Sequence, residues 1–237
     1  MTACGLAMAN DLEYRFILQD NQTQTYTFQF DGERYELSEE RHAPAPWCEL
    51  SFQQCPNCPY QSNGPKYCPA ALRLNQVVRD VDHMMSYEQI EVEVITRHRT
   101  IKQTSTVQEA VSSLLGLLLA SSGCPHTEFL LPMARFHLPF ANAEETLWRA
   151  CGSFLLAQYF RREEDTPTEL LEDILRHYAN LEVLNSQLVK RLKSQVHSDA
   201  CPNAIVLLDN YAKHFPLFIE RSIEQLKPLY TAYLMPK

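Results

Sequence analysis

Leu12-Glu13-Tyr14-Arg15-Phe16-Ile17-Leu18, followed by Gln19-Asp20-Asn21-Gln22-Thr23 and then Gln24-Thr25-Tyr26-Thr27-Phe28-Gln29-Phe30, decides the fold class. Tyr14, Phe16 and Leu18 alternate with Glu13, Arg15 and Ile17. Asp20 to Thr23 supply turn-forming side chains, and Tyr26, Phe28 and Phe30 then alternate with Thr25, Thr27 and Gln29. A period of two on both sides of a polar turn predicts an antiparallel hairpin with one buried face. A second alternation, Ile90, Val92 and Val94 against Glu91 and Glu93, predicts another strand, and continuation through Ile101 would make a second hairpin.

Beyond residue 104 the periodicity becomes helical. Thr106-x-x-Glu109 is a capping box opening an apolar helix through Ala120, with Gly123 placed to end it. Asn142-x-x-Glu145 opens a helix to about Phe160, and Thr166-Pro167-Thr168-Glu169 combines a capping box with proline at the first helical position. In the helix after it, Leu171, Ile174, Tyr178, Leu181, Asn185, Leu188 and Leu192 are spaced alternately by three and four, a coiled-coil seam with one polar layer. Leu175 and Leu184 widen that face, which favours packing within the chain over a homodimer through residues 171 to 192. Two shorter helices, Asn203 to Lys213 and Pro216 to Lys227, are expected at the end, and one from about Ala70 to Met85. The predicted architecture is α+β: a small antiparallel sheet within residues 12 to 104 packed on a mostly helical half from 105 to 237, as one continuous domain.

Composition narrows the function classes. The chain has 237 residues, is 45% hydrophobic and carries a formal net charge of -8, so it can bury a core but is a poor partner for polyanions. Nine acids and three bases fall in the first fifty residues and read as a solvated face of the first hairpin. Nucleic acid and membrane are not expected partners. The leucine-rich run Leu114 to Ala120 falls far short of the roughly 20 residues a spanning helix needs. No phosphate-cradling glycine motif, G-x-S-x-G or H-E-x-x-H occurs. Glu39-x-x-His42 stands alone as a di-iron half-motif, and Pro44 and Pro46 oppose a helix there. Met1-Thr2-Ala3-Cys4-Gly5 lacks the basic start and apolar stretch of a signal peptide, which predicts a reducing, cytoplasmic setting.

Residues 44 to 69 hold six prolines and four cysteines, so no regular helix or central strand can form there. Cys48, Cys55, Cys58 and Cys68 are spaced C-x6-C-x2-C-x9-C, and clustered cysteines in a reducing compartment point to a metal. Four thiolates suit tetrahedral zinc. They also suit an iron-sulfur cluster, whose cysteine ligands are often followed by proline, as Cys55, Cys58 and Cys68 are. Pro59 stands where zinc-ribbon knuckles carry glycine, and no second C-x-x-C follows. Gly123-Cys124-Pro125-His126 is a further candidate: Cys124 and His126 could replace Cys48, or join His137 in a second site with Glu128 acting on a bound water. Cys151 and Cys201 read as core and capping-loop residues. Arg97-His98-Arg99, and Lys190-Arg191 with Lys193, read as solvated basic faces.

With Cys55-Pro56-Asn57-Cys58-Pro59, Gly123-Cys124-Pro125-His126 and Met133-Ala134-Arg135-Phe136-His137-Leu138-Pro139-Phe140 in view, the chain resembles an uncharacterised bacterial domain-of-unknown-function family. The resemblance implies a bacterial, cytoplasmic setting and no activity. The leading expectation is therefore a soluble, non-enzymatic, zinc-binding protein with a regulatory or protein-interaction role and an unidentified protein partner. An iron-sulfur or metal-dependent redox enzyme on the same cysteines, and a homo-oligomeric helical scaffold, are the alternatives.

Overall fold

Alternation at the N-terminus builds the sheet as expected. The structure, a computed structural model, describes residues 11–60, 64–161 and 170–234. Strands β1 (Leu12–Ile17) and β2 (Thr23–Phe30) form the first hairpin, with Tyr14 opposite Tyr26 and Leu12 opposite Phe28. Asp20 accepts from the Gln22 amide at 3.0 Å and Asn21 takes a φ of +62°, a left-handed conformation that asparagine tolerates. A short strand, β3 (Tyr35–Leu37), extends β2, and β4 (Gln89–Thr96) with β5 (Thr100–Thr106) forms the second hairpin. The order is β3-β2-β1-β4-β5, antiparallel throughout, so β1 sits at the centre. Leu12, Tyr14, Phe16, Tyr26, Phe28, Ile90, Val92 and Val94 form its buried face.

α2 (Val107–Ala120) packs on the sheet at β4 and β5, and α1 (Pro69–Asp80) lies against α2 and reaches β2 and β3 through the Gln24–Asp80 and Arg73–Glu36 hydrogen bonds. Capping by Thr106 and Glu109 forms reciprocally, as the motif predicts. Ten of its residues are buried, from Val107 to Ala120, because α2 lies between the sheet and a second helical layer. α1 ends at Asp80, short of the expected Met85, with Val81 as its C-cap.

The second layer contains α3 (Leu131–Arg135), α4 (Ala143–Phe160), α5 (Leu170–Lys193) and α6 (Ala200–Leu226), followed by α7 (Thr231–Leu234). The Asn142–Glu145 capping box forms and opens α4. The Thr166–Glu169 start signal lies outside the described residues. On α5, Ile174, Tyr178, Leu181, Leu184, Asn185, Leu188 and Leu192 are buried within the chain, and Tyr178 stacks on Phe215 of α6 with ring centroids 3.5 Å apart. Two separate C-terminal helices are not found: α6 runs through Pro216. An interior proline costs about 3 kcal/mol, and burial of Ala212, Phe215 and Ile219 on both sides of it holds the helix together. Among the described residues no helix is long and apolar enough to cross a membrane.

Candidate metal centre

Proline removes regular structure from residues 44 to 69, and backbone pairing at the stem replaces it. Pro46–Cys48 form a 3-10 turn, Glu49 bridges Tyr67, the Leu50 amide donates to the Lys66 carbonyl at 3.0 Å, and the Cys68 amide donates to the Cys48 carbonyl at 2.8 Å. The stem therefore sets Cys48 beside Cys68, which is also the N-cap of α1. At the tip, the Cys58 amide donates to the Cys55 carbonyl at 3.0 Å, closing the C-x-x-C turn.

Two contacts fasten that turn to the helical half. Asn57 Nδ2 donates to Asn180 Oδ1 of α5 at 2.9 Å, and His126 Nε2 donates to the Asn57 carbonyl at 2.9 Å. Gly123 makes the approach of Cys124 and His126 feasible. Its φ is +75°, and a Cβ there would stand 2.6 Å from Arg34 Nη1. Cys124 is buried just beyond it.

Cys55, Cys58, Cys68 and Cys124 all line one small void of about 10 Å³, with His126, Leu184 and Arg191 completing part of the wall. That is room for about one atom-sized guest. Cys48 is not part of this wall: its thiol donates toward Ala71 O and Asn75 Oδ1, at 3.7 and 3.5 Å. The fourth sulfur at the void thus comes from Cys124, 56 positions after Cys68. Among the described residues, no group of three or more His, Cys, Asp or Glu side chains is gathered, as it stands, to hold a metal ion. A shared tetrahedral centre would require the thiols to turn inward until each sulfur lies about 2.3 Å from the ion.

Burial governs the charge state of these thiols. Desolvation pushes Cys55 up to about 11 and Cys124 up to about 12, so both are protonated near neutrality. The Cys48 thiol is likewise held up at about 11. Opposing desolvation, the His126 backbone amide donates to the Cys124 sulfur and the Arg191 guanidinium lies close enough to favour the Cys55 thiolate.

Arg191 is the residue that sequence reasoning misplaced. Read as part of a solvated basic face with Lys190 and Lys193, it is 1% exposed. Nη1 donates to the carbonyls of Trp47 and Glu49, each at 2.7 Å, and Nη2 to that of Leu50 at 3.1 Å. Among the described residues no carboxylate pairs with it. The available signal was spacing: Arg191 follows Leu184 by seven residues and Leu188 by three, on the buried stripe of α5.

His137 and Glu128 lie elsewhere. His137 Nε2 pairs with the Tyr14 hydroxyl, which also reaches Ser113 Oγ at 2.9 Å, and His137 lines a separate, larger cavity. Glu128 is exposed and outside the walls of the thiol void. A second site joining His137 to Cys124, with Glu128 activating water, is therefore not assembled. His42 of the half-motif Glu39-x-x-His42 instead pairs with Asp80 Oδ1 at 2.8 Å, in a segment without helix.

The model of a family described as Domain of unknown function (DUF6901) matches residues 12–231. No curated protein and no solved structure matches the chain.

Proposed function

The chain belongs to the DUF6901 family, a domain of unknown function, and we propose that it is a zinc-binding, non-enzymatic protein whose metal is held by Cys55, Cys58, Cys68 and Cys124. The observation that carries this reading is Arg191. A guanidinium buried against carbonyls and the Phe52 ring, 6.0 Å from its centroid, has no opposite charge beside it among the described residues, and buried charges are ordinarily paired or neutralised by a metal centre. Zinc bound to four thiolates carries two net negative charges at the same void. It would complete the pairing and simultaneously stabilise thiolates that burial otherwise disfavours.

Size favours one ion over a cluster. A void of about 10 Å³ suits a single zinc, whereas an iron-sulfur cluster would need the walls to part. The site is closed by the loop tip, Leu184 and Arg191, and no exposed carboxylate lines it, which is the character of a structural site with no open coordination position. Its role is to staple the 44–69 loop to α5 and to the Gly123–His126 turn. The exposed Trp148, Leu155, Leu156, Tyr159 and Phe160 of α4 are the support for an interaction role in place of turnover.

Anaerobic purification followed by elemental analysis and a visible spectrum separates the readings. Colourless protein with zinc supports the proposal; brown protein with iron and sulfide supports the redox alternative.

A further inference from the structure

We infer that the larger cavity, bounded by α2, α3, α4, α5 and α6 and partly open to solvent, is a binding site for an apolar monocarboxylic acid. This cavity has a volume of about 340 Å³, within the range of small-molecule sites. At about 30 Å³ for a water-sized heavy atom it accommodates roughly eleven such atoms. Its walls are mainly apolar, supplied by leucines of α2, α5 and α6 with Met133 and Phe140. It is independent of the thiol void, with which it shares no wall residue.

On the wall, Asn185 lacks hydrogen-bond partners and Arg149 lacks a counter-charge among the described residues. Asn185 is 1% exposed, and neither its Oδ1 nor its Nδ2 has a hydrogen-bond partner among the described residues. A buried amide left with both ends unmade costs about 1–3 kcal/mol for each group. It therefore points to a guest that supplies the partners. Arg149, half-buried on the same wall, donates Nη2 to the carbonyls of Met133 and Phe136 at 2.6 and 3.0 Å and pairs with no carboxylate among the described residues. The wall also carries the Glu109 carboxylate, whose Oε2 accepts from Ser105 Oγ and from the Thr106 amide and hydroxyl. With that carboxylate engaged in the α2 cap, the Arg149 cation and the Asn185 amide are complementary to one carboxylate on a hydrocarbon body.

The backbone gives two further indications. Phe140, a wall residue, holds a φ of +58°, a strained conformation for an aromatic residue of the kind that clusters at binding sites. Gly116 lies in the interior of α2, where glycine costs about 1 kcal/mol relative to alanine. The space it leaves belongs to the cavity, and a Cβ there would meet Leu208 at an ordinary 3.6 Å. The helix accepts a propensity penalty where a side chain would narrow the chamber.

The test is isothermal titration of the full chain with decanoate, decanol and decylamine. Decanoate should bind, with decanol at least tenfold weaker and decylamine weaker still. Gly116→Leu, which fills the chamber from a position where a Cβ meets Leu208 at an ordinary 3.6 Å, should abolish decanoate binding while its thermal melt remains cooperative. Arg149→Met should weaken decanoate at least tenfold and leave decanol unchanged. Absence of decanoate binding to the native chain would overturn the inference, as would equal affinity for the three probes or undiminished binding by a folded Gly116→Leu protein.

Discussion

Arg191 of α5 donates its guanidinium to the carbonyl of Glu49 at 2.7 Å, across 142 positions of sequence. Trp47 and Leu50 accept from the same group, so one side chain ties three carbonyls of the loop stem to α5. Replacement by methionine would leave the Trp47 and Leu50 carbonyls without this donor, while that of Glu49 would keep the Phe52 amide at 3.1 Å. Arg191→Met should destabilise the protein by about 1–3 kcal/mol for each carbonyl left unpaired, and Arg191→Lys should recover only part of that because an ammonium cannot reproduce the fork. Denaturant titration of both variants checks this.

Gly123 tests how the second segment reaches the void. A left-handed backbone costs an L-residue roughly 1–2 kcal/mol, and the nearby Arg34 guanidinium must also move aside for a Cβ. Gly123→Ala should thus lose about 1–2 kcal/mol in urea unfolding, and it should hold zinc less tightly because Cys124 follows directly.

His137 gives a pH dependence with a definite sign. Desolvation beside Arg149 holds its imidazole down at about 3, against about 6.5 in an unfolded chain. Between those values the unfolded chain binds the proton and the folded one does not, so stability is full above about pH 6.5 and declines as the pH falls toward 3. His137→Gln should flatten the acid limb of stability against pH. An unaltered limb would assign acid sensitivity to other groups.

The seam on α5 predicts an oligomeric outcome. Ile174, Tyr178, Leu181, Asn185, Leu188 and Leu192 of that seam are buried within the chain, and Asn185 faces no partner amide among the described residues. Asn185→Leu should raise stability by about 1 kcal/mol, since it removes unpaired polar groups from an apolar site, and should leave the sedimentation behaviour of the native chain unchanged. A change of oligomeric state would revive the scaffold reading.

Particular residues show where sequence patterns carry structural information and where they stop. The two hairpins and the capping boxes at Thr106 and Asn142 are local, each written within a few positions, and all form. The three-residue β3 has too few positions to display a period, and Pro216 reads as a break because only tertiary burial of Phe215 and Ile219 keeps α6 whole. Cys55, Cys58 and Cys68 were legible as a group by proximity. Cys124 could be named as a substitute from its residue type, but its place at the void depends on the Gly123 turn and on Asn57 accepting from His126. Nothing in the local spacing distinguishes it from Cys48, whose thiol turns to Asn75. Buried Arg191 was hidden because its neighbours Lys190 and Lys193 are charged as well.

Zinc content of the reconstituted, desalted protein, compared across the native chain, Cys48→Ser and Cys124→Ser, tests the central claim most directly. One zinc per chain should remain in the native protein and in Cys48→Ser, with well under one in Cys124→Ser. A native chain that retains no zinc, or a Cys124→Ser protein that retains it while Cys48→Ser loses it, would contradict the account.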